Sequence, residues 1–355
     1  MTRGDAEVTP GPRLRALAER LGARATLMKP LGPLTTYGVG GPAALFVEVE
    51  GPADLDTVRR ALEGGERGGG GGALSVFVIG RGSNLLVSDA GFDGLVVHLG
   101  AGFAGLELPE RAGASGHARG RDLVRAGGAL ALPVLARRAA DAGWSGLSWA
   151  VGVPGSVGGA VRMNAGGHGS DMAACLASYR WVDLVSGAGG TDDVERLAYG
   201  YRASSVTATQ VVVEAELVVT PGSAEEEQDA VAAIVKWRRE NQPGGSNAGS
   251  VFTNPEGDSA GRLIEEAGLK GFRLRSAHVS EKHANFIQAD KEGRADDVRA
   301  LLEHVRGVVE DRYGVRLATE VRLLGFGDGK TGAVGDGRQA GDASPDRGAT
   351  AGERG

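Results

Sequence analysis

Ser75-Val76-Phe77-Val78-Ile79-Gly80-Arg81-Gly82-Ser83-Asn84-Leu85-Leu86-Val87 decides how the first half of this chain is read. An apolar, β-rich run delivers the backbone into consecutive small and polar residues. Their N–H groups can converge as a nest on a diphosphate. The segment begins like Gly-x-Gly-x-x-Gly, but Leu85 stands where the third glycine belongs. The chain then continues as Leu-Leu-Val, more strand than helix. A Rossmann fingerprint needs a helix opening at that point, so a Rossmann fold is rejected. Taken alone, the segment reads equally well as a plain β-turn.

A second glycine-rich stretch shifts that balance. Val151-Gly152-Val153-Pro154-Gly155-Ser156-Val157-Gly158-Gly159-Ala160 is followed by Met163-Asn164-Ala165-Gly166. Small side chains in such density let backbone lie flat against something planar or charged. Two such loops far apart in one chain favour a dinucleotide over a pair of unrelated turns.

The bulk composition sets the limits. The chain has 355 residues, 41% of them hydrophobic, enough for two or three domains with sizeable cores. Its 61 glycines far exceed the usual share of roughly 7%, and no Gly-X-Y period accompanies them. A formal net charge of -6 argues against nucleic acid as the main partner, while leaving room for a local basic pocket. The single cysteine, Cys175, allows no internal disulfide and reads as a buried small hydrophobe in a reducing compartment. No stretch reaches the ~20 apolar residues that span a bilayer, and Met1 to Pro12 lacks the apolar core of a signal peptide. A cytoplasmic protein is expected. No His/Cys cluster has zinc-ligand spacing, so no metal is expected.

Helices are expected at Pro12 to Leu21, Pro52 to Glu63, Leu132 to Ala142, from Ser223 to about Asn241, Ala260 to Ala267 and Ala295 to Tyr313. Ser223 and Glu226 have capping-box spacing. Strands are expected at Ala44 to Val49, Ser75 to Ile79, Leu85 to Val87, Leu95 to Leu99, Tyr179 to Val185, Gln210 to Val219, Ala284 to Gln288 and Leu317 to Leu324. Val151 to Gly169 reads as one long loop. Residues 1–12, Gly64 to Gly72 and 110–121 read as a loose tail and two surface loops. From Gly325 the composition cannot bury a core.

Four further segments could carry chemistry. Arg202, in Tyr199-Gly200-Tyr201-Arg202-Ala203-Ser204, could be held by ring stacking and present its fork to a carboxylate or phosphate. On this segment alone, a surface arginine lying over a tyrosine is the better reading. Ser250, in Asn247-Ala248-Gly249-Ser250-Val251-Phe252-Thr253-Asn254-Pro255, could expose its hydroxyl on a tight loop, or serve only as a turn residue. The second glycine of a Gly-x-Ser-x-Gly elbow is missing. Between Lys270 and His283 the cations Arg273, Arg275 and Lys282 face one acid, Glu281; this is an anion site or a solvated charged face. Thr319-Glu320-Val321-Arg322-Leu323 alternates like a half-exposed strand.

Taken jointly, the segments resemble the UDP-N-acetylenolpyruvoylglucosamine reductase family. The ordered matches are Tyr-Gly-Val-Gly-Gly-Pro-Ala (37–43), Gly-Arg-Gly-Ser-Asn-Leu-Leu (80–86), Val-Pro-Gly-Ser-Val-Gly-Gly-Ala (153–160), Met-Asn-Ala-Gly (163–166), Gly-Tyr-Arg-x-Ser (200–204), Gly-Ser-Val-Phe-x-Asn-Pro (249–255), Val-Ser-Glu-Lys-His-Ala-Asn-Phe-Ile (279–287) and Glu-Val-Arg (320–322). Each is weak alone; in this order they are specific.

The resemblance implies an α+β fold: an FAD-binding domain of the vanillyl-alcohol-oxidase (PCMH) type over 13–221, in subdomains of roughly 13–100 and 101–221. A smaller α/β substrate domain over 222–316 would follow, then a strand at 317–325 returning to the first domain and a tail at 326–355. The short stretch after Arg202 is similar to the subclass without an inserted tyrosine loop.

The implied activity is NADPH-dependent reduction of UDP-N-acetyl-3-O-(1-carboxyvinyl)-glucosamine to UDP-N-acetylmuramate through noncovalent FAD, for peptidoglycan synthesis, by a monomer. Arg202, Ser250 and Glu320 match the catalytic positions. Gly80, Arg81, Gly82, Ser83, Asn84, Leu85, Gly152, Pro154, Gly155, Ser156, Gly158, Gly159, Asn164, Ala165 and Gly166 match the cofactor loops. Tyr201, Asn254, Lys282 and His283 match substrate positions. Arg273 to Ser276 and His278 depart from the family pattern and put fine substrate contacts in question. An oxidase of the same fold acting on a sugar alcohol or lactone is the alternative; a covalent flavin link, for which His168 is the residue to check, would favour it. A non-catalytic flavin-binding protein would need Ser250 or Glu320 lost.

Overall fold

The computed structural model describes residues 7–64, 74–110 and 122–327. The expectations for 1–6, 65–73, 111–121 and the tail from 328 onward lie outside them. Residues 7–11 are not loose. The Val8 N–H donates to the Ala90 carbonyl at 2.8 Å, and Pro10 is buried ahead of the helix Pro12–Leu21.

A first sheet runs in the order Ala25–Pro30, Pro42–Val49, Phe92–Leu99, Val76–Ile79. Only its first pair is antiparallel. The parallel strands are covered on both faces, so they read as near-continuous apolar runs. In Pro42–Val49, Leu45, Val47 and Val49 enter one core while Phe46 enters another. Helices Pro12–Leu21 and Pro52–Glu63 close the first core with Leu14, Leu17, Leu21, Leu55, Val58 and Ala61. The exposed edge strand Ala25–Pro30 was not expected from the sequence.

A second sheet is antiparallel, in the order Gly189–Asp193, Leu176–Asp183, Gln210–Pro221, Asp122–Gly127, Leu106–Glu107. Helices Leu132–Asp141 and Val157–Met163 share its core. Helix Ala224–Asn241 begins at its expected cap, where Ser223 accepts from the Glu226 N–H. It packs against Leu132–Asp141 and Ser148–Gly152.

A third, small sheet of Arg273–Leu274, Ala277–Val279 and Ile287–Ala289 packs under helices Ala260–Glu266 and Ala295–Tyr313. Its core also takes in Tyr37, Val39 and Leu86 from the first part of the chain. Arg322–Leu324 then lies parallel to Leu85–Val87, with Arg322 opposite Leu85. No helix among the described residues is long and apolar enough to cross a membrane.

Three expectations need correction. Val151 to Gly169 is not one loop, because it contains the helix Val157–Met163. Its glycines disguise it. Ser156 caps it by accepting from the Gly159 N–H, and Val157, Ala160 and Val161 are buried. A Cβ on Gly158 would come within 2.9 Å of the Val212 carbonyl oxygen, so the glycine serves close packing.

The final strand is Arg322–Leu324 rather than Leu317 to Leu324. The chain changes neighbour at Glu320. Before it, Ala318 and Glu320 exchange backbone bonds with Thr253 and Val251; after it, Arg322 donates to Asn84. Finally, Ala284 to Gln288 contributes a strand only at Ile287–Ala289, because a turn closed by Phe286 N–H to the His283 carbonyl occupies its start.

Candidate active site

The two glycine-rich loops meet face to face. A Cβ built on Gly80 would lie 2.5 Å from Ser156 Oγ, and one on Gly155 would lie 3.4 Å from Ser83 Oγ. Gly82 has φ +57°, and a Cβ there would be 2.2 Å from the Leu34 carbonyl oxygen. No other residue type fits that turn without moving backbone.

Around this junction lies a cavity of about 1440 Å³. Gly80 to Leu85 line it, as do Gly152, Pro154, Gly155, Ser156, Gly159, Ala165, Gly166, Tyr201, Arg202, Ser250 and Glu320. A smaller recess of about 250 Å³ shares Gly80 and Ser156 with it and includes Gly158, Gly128 and Val212. The main cavity is cationic within an acidic chain. Arg81, Arg162, Arg202, Arg238, Arg299 and Arg322 line it, against only Asp93, Asp296 and Glu320.

Arg202 sits at φ +54°, in a turn where Gly200 and Ala203 form an isolated bridge. Such a backbone is strained for a side chain with a Cβ, by about 1–2 kcal/mol. The guanidinium uses this geometry fully. Its Nε donates to Glu320 Oε1 at 2.9 Å, Nη1 to the Asn164 carbonyl at 3.2 Å and Nη2 to the Gly166 carbonyl at 2.7 Å. It also lies 5.3 Å from the Tyr201 ring centre, and Tyr201 is the exposed partner.

Asn164 supports this turn rather than lining the cavity. It is a buried left-handed helix cap whose side chain donates to the Gly200 carbonyl and accepts from the Ala173 N–H.

Glu320 is held from behind. Asn84 Nδ2 donates to its carbonyl at 3.1 Å, and its N–H donates to the Val251 carbonyl at 2.9 Å. Burial pushes its carboxyl above the ordinary range, and the neighbouring Arg202 only partly opposes this. Ser250 is carried on the facing segment. Gly249 turns at φ +78°, the Val251 N–H donates to the Asn285 carbonyl, and the Asn285 side chain grips the backbone of Phe252 on both sides. The Ser250 hydroxyl lines the cavity and has no hydrogen-bond partner among the described residues.

Asn254, Lys282 and His283 do not line this cavity. Asn254 Oδ1 accepts from the Ala260 N–H at the start of a helix. Lys282 donates to the Arg239 carbonyl and borders a separate recess with Arg273 and His278. His283 Nδ1 accepts from the Asn285 N–H, and burial pushes its pKa down. The departing residues are engaged structurally: Arg275 and Ser276 bind Asp297, and Arg273 binds Asp290. His168 is exposed and stands edge-on to Trp237 at 5.1 Å.

Sequence reasoning missed Arg162, Arg238 and Arg322 as cavity residues. Each reads as an ordinary charge in its own segment, and only the tertiary fold brings them together. Cys175 is buried, and burial raises its thiol to about 12, which makes it inert.

Comparisons with known proteins identify the family. A family model described as UDP-N-acetylenolpyruvoylglucosamine reductase, C-terminal domain, matches residues 241–324. One described as FAD binding domain matches residues 72–191. The UDP-N-acetylenolpyruvoylglucosamine reductase 2 of Symbiobacterium thermophilum is 41% identical over 317 residues, covering 88% of this chain and 96% of that protein. The reductase of Heliobacterium modesticaldum is 40% identical over 308 residues, covering 85% of this chain and 91% of that protein. Among solved structures, the UDP-N-acetylenolpyruvylglucosamine reductase of Thermus caldophilus superposes with a TM-score of 0.68 at 34% identity, over 84% of this chain and 98% of that one.

Proposed function

The chain belongs to the UDP-N-acetylenolpyruvoylglucosamine reductase family, and from that premise we propose how its own residues carry the reaction. It is an FAD-dependent oxidoreductase that uses NADPH to reduce UDP-N-acetyl-3-O-(1-carboxyvinyl)-glucosamine to UDP-N-acetylmuramate, a peptidoglycan precursor. The single observation that carries the assignment of roles is the Arg202–Glu320 pair, bonded at 2.9 Å in the cavity that Ser250 also lines.

The residues present fit the cofactor. Gly80 and Gly82 let the first loop close against Ser156 and Leu34 with bare backbone lining the cavity, and the cavity is rich in arginine. Its 1440 Å³ exceeds the roughly 300–1,000 Å³ of an ordinary small-molecule site, leaving room for a dinucleotide and a substrate together. Gly80, Arg81, Gly82, Ser83 and Leu85, with Gly152, Pro154, Gly155, Ser156, Gly158, Gly159, Ala165 and Gly166, would hold it. FAD, when bound, relays hydride from NADPH to the distal vinyl carbon of the substrate.

As that hydride arrives, negative charge develops on the adjacent carbon and its carboxylate. The Arg202 guanidinium, fixed by three acceptors, offers its remaining face to that charge. Glu320, whose carboxyl burial holds above the ordinary range, acts protonated or through hydrogen bonds rather than as a repelling anion. The Ser250 hydroxyl gives its proton to the carbon, completing addition of one hydride and one proton across the double bond. A serine is a weak acid, but a carbanion-like centre is a strong enough base to take its proton. Water then reprotonates the serine.

Tyr201 and the exposed cationic rim with Lys282 would receive the nucleotide part of the substrate. In this reading the enzyme works as a cytoplasmic monomer. Incubation with NADPH and the enolpyruvyl substrate should yield a product heavier by two hydrogens by mass spectrometry. NADPH consumption independent of that substrate would count against the proposal.

A further inference from the structure

Arg162 and Arg322 line the same cavity, close enough for their charges to repel. Arg162 is on the helix that follows the second glycine-rich loop. Its Nη1 donates to the Thr207 carbonyl at 3.0 Å, and Ser204 Oγ fixes the Arg162 carbonyl at 2.6 Å. Arg322 opens the strand paired with Leu85, and its N–H donates to the Asn84 carbonyl at 3.1 Å, so it is tied to the first loop. Neither guanidinium meets a carboxylate among the described residues. Arg202 occupies Glu320, the acid nearest in sequence to Arg322. Arg162 also lines the smaller recess, with Gly80, Arg81, Ser156 and Gly159, so it stands where the two spaces join.

Two part-buried like charges in one crevice destabilise the protein unless an anion lies between them. Burial, with Arg322 adding repulsion, lowers Arg162 to about 10, and burial lowers Arg322 as well. Arg162 therefore remains charged near neutrality. The neighbours at this junction are the glycine backbones of Gly80 and Gly159, which suit close approach of phosphate oxygens.

We propose that Arg162 and Arg322 form a cation pair that clamps the diphosphate of the flavin cofactor where the two glycine-rich loops meet. This rests on the FAD reading above. In the cofactor-free chain the pair is self-repelling; with the diphosphate present, each guanidinium gains a charge-assisted partner. The clamp therefore trades stability of the empty protein for affinity.

The test uses Arg162→Gln, which removes the charge and retains a donor for the Thr207 carbonyl. The full-length chain is stripped of flavin, and affinities for FAD and for riboflavin, which has no phosphate, are measured by flavin fluorescence. FAD affinity should fall roughly 10- to 100-fold, the range for a charge-assisted hydrogen bond, while riboflavin affinity stays within about threefold. The flavin-free variant should melt no lower than flavin-free wild type. Arg162→Lys, keeping the charge but not the fork, should fall between them for FAD.

Equal losses for both ligands, an unchanged FAD affinity, or a variant that fails to fold would each overturn the clamp. Service to the substrate's diphosphate instead would appear as an unchanged FAD-to-riboflavin ratio. If wild-type chain takes up no FAD, the FAD reading itself fails, and no variant is needed to see it.

Discussion

Replacing Ser250 by alanine separates chemistry from structure unusually well. The hydroxyl has no partner among the described residues, and its segment is fixed by backbone bonds to Asn285 and Glu320. Its removal should therefore change folding stability by no more than about 0.5 kcal/mol. If Ser250 is the proton donor proposed above, the chemical cost should be much larger. Losing a positioned general acid slows proton transfer by about 10²–10⁴-fold, equivalent to about 3–5 kcal/mol of barrier.

The proton step follows hydride transfer to the flavin. Rapid-mixing absorbance should thus show near-normal bleaching by NADPH and a strongly slowed return of colour with the enolpyruvyl substrate. Ser250→Cys should retain more activity than Ser250→Ala, because a thiol still donates a proton. Equal slowing of both halves, or cysteine no better than alanine, would mean that Ser250 only shapes its loop.

Three other perturbations follow from the geometry. Glu320 has a raised carboxyl pKa, so as pH climbs through that value it loses the proton it donates and substrate-driven reoxidation should slow; Glu320→Gln, with no proton to lose, should flatten that limb, and an unmoved limb would assign it to another group. The same raised carboxyl binds a proton more tightly folded than unfolded, so its contribution to stability declines as pH rises above the ordinary glutamate range. Asp89 accepts from the N–H groups of Ala295 and Asp296 at 3.0 Å each, capping a helix that Arg294 leaves uncapped; Asp89→Ala should cost about 0.5–2 kcal/mol in denaturant unfolding, and no loss would show that water replaces it. Gly80→Ala should impair flavin uptake because its Cβ meets Ser156 Oγ at 2.5 Å; since Ser156 Cβ is 3.7 Å away, adding Ser156→Ala should restore part of that uptake, and no rescue would locate the obstruction elsewhere.

Local signals carried much of the fold. Pro12, Pro52 and Gly314 mark helix ends where the structure has them, because proline at the first turn and glycine after the last act through backbone conformation alone. Edge strands were less visible. Ala25–Pro30 carries Lys29 and Pro30, and Gly189–Asp193 is exposed and rich in glycine and aspartate, so neither shows an apolar face.

For the site, the glycine loops and Arg202 were legible as segments, but their chemistry was not. Taken alone, Arg202, Ser250 and Glu320 each read as ordinary turn or strand residues. Only the chain's change of partner at Glu320 puts its carboxylate on the Arg202 guanidinium. Arg162 carries no local mark at all, and Arg322 is marked only as the end of the Glu-Val-Arg match. Only the fold brings both to the lining of one cavity.

The central claim is tested most directly by two additions to the purified protein in the absence of oxygen. The yellow colour should bleach with one equivalent of NADPH, then return on addition of the enolpyruvyl UDP-sugar as UDP-N-acetylmuramate forms. Bleaching that the enolpyruvyl substrate does not reverse, with colour restored only by oxygen, would contradict it.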